Sequence, residues 1–430
     1  MDAIEALVFE YNLARLAIGR LAGLFGPRGY LTPLGFLRYR VLPDPRLPAD
    51  DWLLIRTRCC GICGSDHKQV FLDGNVDNPM TAVISWPQIL GHEVVGRVER
   101  VGSAVTRVKA GDRVLLNPWI GCLPRGIRPP CEPCRQGKNT LCRNFTKGLI
   151  APGIHSGNSR DATGGFATLV PAHESMAVPI PEGVSWEQAV LADPFSVAFH
   201  SVLKVQLWPG STCAVYGCGN LGLLTIHILK NLFAGIRVLA IARFSHQAEM
   251  ARAFGADLVL KARPTHSLVE QVAGFVGCPV YVFNGKRPWL IEGVDFLFDT
   301  VASPETLEIG MRIVKARVRD RGMNRDRSGS IVVTGVSSPG RFEWTPWYFK
   351  DLRMIGSSGF SIEAFEGRRE HAFSHYFRFL REGRADPSKM ITHRFSLSEY
   401  KDALVAAREQ KKARAVKVLF SYPEEDSGKR

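Results

Sequence analysis

Apolar residues follow two different periods along this chain, and the change falls near residue 185. Before it they come in short alternating runs broken by glycine, the pattern of strands in a small twisted barrel. Strands are expected at 6–9, 36–41 and 52–58. Residues 94–102 alternate around Gly96, and Gly111-Asp112-Arg113-Val114 is a turn leading into a strand. Beyond 185, segments 186–191 and 195–205 have helical spacing. Strands at 212–216, 237–242, 294–299 and 330–335 then alternate with helices starting at Asn220, Ser245 and Pro304. Short connections between strands and helices predict an α/β unit with a doubly wound parallel sheet. A helix near 369–381 and a strand at 415–420 close the chain, before a charged C-terminal tail. The sequence has no internal repeat.

At 430 residues, 45% hydrophobic and 22% charged, the chain has the composition of a two-domain globular protein. The net charge of +14 is spread out, with clusters only at 312–327 and 408–414. A nucleic-acid binder concentrates its basic residues on one face with interleaved aromatics, so no nucleic-acid partner is expected. Attraction of anionic substrates or cofactors is the milder consequence. Residues 13–25 are apolar apart from Arg15 and Arg20, and Gly26-Pro27 stops them. The stretch is too short and too interrupted for a membrane span. It reads as a helix packed on its own domain or on an oligomer partner, with an interfacial membrane helix as the alternative.

Cysteine placement changes this picture most. Cys60-Gly61-Ile62-Cys63-Gly64-Ser65-Asp66-His67 precedes Gly91-His92-Glu93 by about thirty residues. A thiolate, an imidazole and nearby carboxylates are what a catalytic zinc needs, three ligands leaving one tetrahedral position open. Cys122, Cys131, Cys134 and Cys142 follow in one segment and read as a closed, structural zinc site. Cys60 and Cys63 also form a CxxC, so a redox pair is the competing reading; Cys59, Cys60, Cys213 and Cys218 read as packing residues. Zinc thiolates, and no secretory signal opening the sequence, point to a reducing, cytoplasmic compartment. Further on, Gly217-Cys218-Gly219-Asn220-Leu221-Gly222 follows a strand and opens a helix. That is the context of a dinucleotide-binding turn. Gly217 permits the turn, Gly219 lets backbone approach a pyrophosphate, and Gly222 allows close helix packing.

An open zinc site, a closed one and a nucleotide turn, in that order, resemble the zinc-dependent medium-chain dehydrogenases, which include alcohol, polyol and threonine dehydrogenases. The resemblance implies a GroES-like, β-rich catalytic domain at 1–184, completed by 357–430, and a Rossmann domain at 185–356. It implies a hydride exchanged between an alcohol, or its aldehyde or ketone, and NAD(P). A cofactor-binding relative without that activity is the alternative, and nucleic-acid binding through the basic surface and cysteine lobe is a third. Carried over residue by residue, Cys63 and His92 are zinc ligands and Asp193 is the third, with Glu93 its rival. Asp66 orients a ligand or pairs with a nearby base. Ser65 takes the alcohol proton, and His67 stands one residue before the usual relay histidine, whose own position holds Lys68. Cys122, Cys131, Cys134 and Cys142 hold the structural zinc. Arg128 stands where the first of those cysteines is expected, so 123–130 reads as an insertion bulging outward. Residues 10–34 form a second insertion. Trp119 is expected at the cleft mouth, Gly335 and Val336 beside the nicotinamide, and Asp299-Thr300-Val301 near the adenosine. The strand 236–242 ends in Ala242-Arg243 with no acid to hold a ribose 2′-hydroxyl, which predicts NADP as preferred cofactor with NAD as the alternative. A homo-oligomer, dimer or tetramer, is expected. The particular alcohol is not legible.

Overall fold

The computed structural model describes residues 3–74, 77–262, 265–317, 319–320, 325–326, 329–337 and 340–423. The charged tail from 424 onward lies outside them, as does part of the basic cluster at 312–327. The chain forms two compact units, one of Met1–Asp193 with Ser388–Arg430 and one of Pro194–Pro387.

The first unit is built around the strand Trp52–Gly61, nine of whose ten residues are buried or nearly so on both faces. It pairs antiparallel with Glu93–Val101, Leu169–His173 and the C-terminal strand Lys417–Ser421. Arg113–Leu116, Ala177–Pro179 and Ile391–Phe395 complete this seven-stranded sheet. Registry sets Gly61 opposite Glu93 and Cys60 opposite Val94. The sheet therefore brings the end of the first cysteine motif to the Gly-His-Glu motif. A smaller sheet pairs Ala3–Phe9 with Leu37–Pro43 and Gln88–Ile89. Between its first two strands stand the helix Leu13–Gly23 and the turn of helix Pro27–Tyr30, occupying the first insertion. Arg15 N–H bonds to the side chain of Asn12, which caps the longer helix. Leu16 packs on the core, and Gly19 and Gly23 let the helix approach Phe36 and Tyr30. Any Cβ at those positions would sit 2.5 Å or less from a ring carbon.

The second unit contains the expected parallel sheet. Its order is Leu258–Lys261, Arg237–Ala242, Thr212–Tyr216, Phe296–Asp299, Ser330–Val333 and Arg353–Gly356. All neighbouring pairs are parallel, the doubly wound order in which the first strand is central. Boundaries are the main departure from expectation. Residues 357–387 belong with this unit and not with the first. Their hairpin Ile362–Phe365/Arg368–His371 and helix Ala372–Arg381 carry Phe365, His375, Tyr376 and Phe379 onto the rings of Phe195 and Phe199. That aromatic cluster is large enough to hold the segment where it is. The expected helix at 369–381 accordingly begins later, because 369–371 are strand.

Candidate active site

Cys63 stands two residues beyond the strand Trp52–Gly61 and caps the helix Gly64–Val70. Asp66, at the third helical position, reaches back so that its Oδ2 accepts the Cys63 N–H at 2.9 Å. Its other oxygen accepts the Gly91 N–H at 3.3 Å and lies 3.7 Å from Nδ1 of His92, an ion-pair distance and not a hydrogen bond. One buried carboxylate thus positions both motifs. Burial opposes its charge, but His92 and the Cys63 N–H hold its pKa below the usual carboxylate value. The ligand-capable atoms of Cys63, His92 and Glu93 lie within 4.8 Å of one another. Gly91, at φ +87°, makes the approach possible, since a Cβ there would meet Phe166 and the Cys60 sulfur. Cys60 is thereby a packing residue behind the site.

Behind Glu93 stands Lys417, a buried lysine from the last strand, whose Nζ bonds to Glu93 Oε2 and to the carbonyl of Ile62. A Cβ on Gly61 would fall 1.9 Å from that same carboxylate oxygen, so only glycine leaves the pair its place. Burial works against the charge on Lys417, and Glu93 outweighs it, raising the lysine pKa. Asp193 is buried in the same electrostatic neighbourhood. Burial first, and Glu93 further, raise its pKa to about 7, against the pull of His92 and Lys417. It is not in the three-residue group.

The donor set can be tested for a cation without reference to any ion. His92 Nδ1, Glu93 Oε1 and Asp193 Oδ2 are all buried and have no hydrogen-bond partner among the described residues. Buried polar atoms of this kind cost free energy unless something satisfies them. Two carboxylate oxygens and an imidazole nitrogen beside a thiol match zinc chemistry.

His155 is the residue that the sequence reading missed. Backbone pairing of 118–120 with 154–156 sets its ring 4.7 Å from that of His92 and 5.7 Å from Trp119. Its Nδ1 lies 2.7 Å from the Ser156 carbonyl, which makes that nitrogen the donor and leaves Nε2 as the acceptor. Burial, with the neighbouring His92, lowers its pKa to about 4, so it is neutral at pH 7. Ser65 is exposed at the start of the helix; His67 is half-buried, its pKa brought to about 4 by burial and then by Arg408 and Lys68.

The four thiols Cys122, Cys131, Cys134 and Cys142 also lie within 4.8 Å of one another. Cys122 and Cys142 sulfurs are 3.7 Å apart. Backbone N–H of Cys131 and of Asn144, and the Asn144 amide, point at these sulfurs at 3.2–3.4 Å, as donors do around thiolates. The insertion at 123–130 does not simply bulge outward. Arg125 turns inward, almost wholly buried, and its guanidinium donates to the carbonyls of Lys147, Ile150 and Gly153. Five donors in a rigid fork can satisfy several carbonyls of an irregular loop at once, which explains why the loop folds under.

In the second unit the three glycines of the turn behave differently. Gly217, at φ +91°, would clash with Val301 if given a Cβ, and Gly222 would clash with the Gly217 carbonyl. Gly219, which caps the helix Asn220–Leu232, has nothing within 4 Å of its would-be Cβ. Packing demands two of them; the third faces open space at a helix N-terminus, where backbone N–H groups can meet phosphate. Asn220 and Leu221 begin that helix. Asp299 is buried and accepts from Val301 N–H, Ala302 N–H and Thr306 Oγ1, so it shapes the neighbouring strand end. Gly335 packs on 300–301 and Val336 is largely exposed beside it in sequence. At the end of Arg237–Ala242, Ala242 is buried and exposed Arg243 lies over the Phe244 ring at 5.3 Å. Cys213 and Cys218 are buried, as expected of packing residues.

Residues 49–182 match the alcohol dehydrogenase GroES-like domain, and residues 221–374 match the zinc-binding dehydrogenase domain. Sorbitol dehydrogenase of Bacillus subtilis (strain 168) is 27% identical over 387 residues, which cover 90% of this chain and 94% of that protein. The Emericella nidulans protein named Probable D-xylulose reductase A is 30% identical over 392 residues, with the same coverage of 90% and 94%. A Sinorhizobium meliloti 1021 protein described as of the zinc-binding dehydrogenase type, solved bound to NADP, superposes with a TM-score of 0.70 at 26% identity over 98% of this chain and 100% of that one. A chain of this kind is an oxidoreductase working with zinc and a nicotinamide cofactor. It belongs to the family of zinc-type medium-chain dehydrogenases, with a GroES-like domain and a Rossmann sheet.

Proposed function

We propose that the chain interconverts a small alcohol or polyol and its carbonyl with NADP, using one catalytic and one structural zinc. The observation that carries this reading is the set of buried, unpartnered atoms on His92, Glu93 and Asp193 beside the Cys63 thiol. Cys63 and His92 hold the catalytic ion, and a carboxylate completes the set. Asp193 is the chosen third ligand, since one oxygen of Glu93 is already paired with Lys417; Glu93, grouped with Cys63 and His92, is its rival. When bound, zinc supplies Lewis-acid stabilisation of charge developing on the substrate oxygen. The protein's own groups do the rest. Asp66 caps the first turn of the helix and sets its charge beside the imidazole of His92. Ser65, exposed on that turn, accepts the alcohol proton, and His67, neutral at pH 7, can carry it outward.

Gly217, Gly219 and Gly222 form the phosphate cradle, with Asn220 and Leu221 presenting helix N–H groups. Gly335 and Val336 flank the nicotinamide. Arg243 binds the 2′-phosphate in the absence of any acid at the strand end. Charge-assisted hydrogen bonds of this kind contribute about 1.5–3 kcal/mol, roughly ten- to hundred-fold in affinity. The experiment is a panel of secondary alcohols, polyols and their carbonyls, assayed with both cofactors in the wild type and in Ala242→Asp/Arg243→Ala. The wild type should favour NADP in kcat/KM and the double variant should swing toward NAD. A wild-type preference for NAD, or no swing, overturns the cofactor assignment. Exposed Trp344, Tyr348 and Phe349 precede the edge strand Arg353–Gly356, an arrangement suited to a second copy, and light scattering should find a homo-oligomer.

A further inference from the structure

The helix Leu13–Gly23 is amphipathic in the unusual sense. Its inner stripe is made of Leu16, Gly19 and Gly23, held against Phe36 and Tyr30. Its outer stripe is Leu13, Ala17, Ile18, Leu21 and Leu24, running on into Phe25. Leu13 is 73% exposed, Leu21 64%, Leu24 78% and Phe25 94%. Surface helices ordinarily turn such residues inward. Here the inner face is already packed, so the outer one stays apolar in the folded unit and is not waiting for the core.

Charge accompanies this stripe. From residue 11 to residue 43 there is no Asp or Glu, while Arg15, Arg20, Arg28, Arg38 and Arg40 all fall within it. Glu10 is the single carboxylate shared by Arg15, Arg38 and Arg40. Arg28 pairs with Asp402, and Arg20, on the exposed side, makes no ion pair among the described residues. A cleft next to Phe25 is lined by Val405, Ala406 and Ala413, with Asp402 and Glu409 at its edge already paired to Arg28 and Lys412. An apolar stripe with surplus arginine and no acid is what an interfacial helix presents to lipid. No helix among the described residues is long and apolar enough to cross a membrane.

We propose that this segment is a docking surface for an anionic lipid bilayer, with Leu21, Leu24 and Phe25 entering the headgroup–acyl boundary and Arg20 meeting lipid phosphate. The stripe suits a second copy of the chain less well. In a two-fold interface the stripe meets itself, and the helix Leu13–Gly23 offers its copy Arg15 and Arg20 but no carboxylate.

The test is flotation of the zinc-loaded full chain with vesicles of phosphatidylcholine alone and of phosphatidylcholine and phosphatidylserine in equal parts. The wild type should float with the anionic vesicles, less so at high salt, and stay behind with the neutral ones. Leu21→Glu/Phe25→Glu alters only exposed positions and should keep its melting temperature, activity and oligomeric mass. Its lipid partition coefficient should fall about tenfold or more. Arg20→Gln should give a smaller fall that high salt abolishes. Failure of the wild type to float with anionic vesicles, equal flotation of Leu21→Glu/Phe25→Glu, or a drop in oligomeric mass in that variant overturns the proposal, the last by showing that the stripe covers a second copy.

Discussion

The first unit carries two clusters of metal-ligating side chains built in opposite ways. Cys122, Cys131, Cys134 and Cys142 come from one stretch of chain and face one another, their sulfurs met by N–H donors. Cys63, His92, Glu93 and Asp193 come from a strand end, the start of a second strand and a helix near residue 193. Around them are the buried Asp66 and Lys417 and the partly buried His155, all ionisable. Four thiols of one chemical kind satisfy a tetrahedral ion completely. Under the proposed assignment the mixed set would leave a position for chemistry, with supporting charges to hold it open. The closed cluster spends its ligands on holding a loop together; the open one is held together by the fold around it.

Cys63→Ser should break the comparison most severely. Metal content should fall from about two zinc per chain to about one, and kcat/KM by about a thousandfold or more. Folding should change little, because the sheet holds the surrounding residues without the ion. An active variant retaining both ions would refute the assignment. Cys122→Ser should show the converse. The closed ion should be released and the melting temperature lowered by about 5–10 °C, while the open site keeps its metal. Unchanged metal and melting temperature would mean that the lobe is held some other way.

Arg125→Met should separate the lobe's two supports. Leaving the carbonyls of Lys147, Ile150 and Gly153 without a donor should cost about 3 kcal/mol in chemical denaturation and speed zinc loss to a chelator. kcat/KM should stay within about twofold of wild type if the lobe's role is structural. The smallest expected contrast lies between Asp193→Asn and Glu93→Gln. If Asp193 is the third ligand, its variant should lose the open ion to a mild chelator about ten- to hundredfold faster, an effect of size similar to losing supporting interactions. Glu93→Gln should change metal retention less and unfolding more, since it strands the buried charge of Lys417. The reverse ranking would make Glu93 the ligand.

Local spacing made the closed cluster readable despite its insertion, because a shift of one ligand leaves three thiols in place. The inward path of 123–130 was not readable: Arg125 is one arginine among many until the carbonyls of 147–153 come round it. His155 carried no signal at all, standing in Gly153-Ile154-His155-Ser156 with no metal spacing nearby. Lys417 did carry one. A lysine inside the apolar run Val416-Lys417-Val418-Leu419-Phe420 implies a buried partner, since lysine is rarely buried unpaired. The partner itself, Glu93, is 324 residues away. The extension of the second unit through 357–387 is illegible for a similar reason: nothing in those residues says that Phe365, Tyr376 and Phe379 pack on Phe195 and Phe199.

What this sequence determined alone was everything set by short separation. The parallel strand–helix alternation, the helix opening after Gly219 and the four-thiol lobe all follow from residues within about twenty positions of one another, where local geometry allows few alternatives. What the tertiary structure decided was which distant charges share one buried space. Asp66, His92, Glu93, Asp193 and Lys417 become a single electrostatic cluster only when the antiparallel register sets Gly61 opposite Glu93 and beside the last strand. Inside the protein, charge interactions are strong enough for each of those groups to depend on all the others, and no spacing along the chain encodes that dependence.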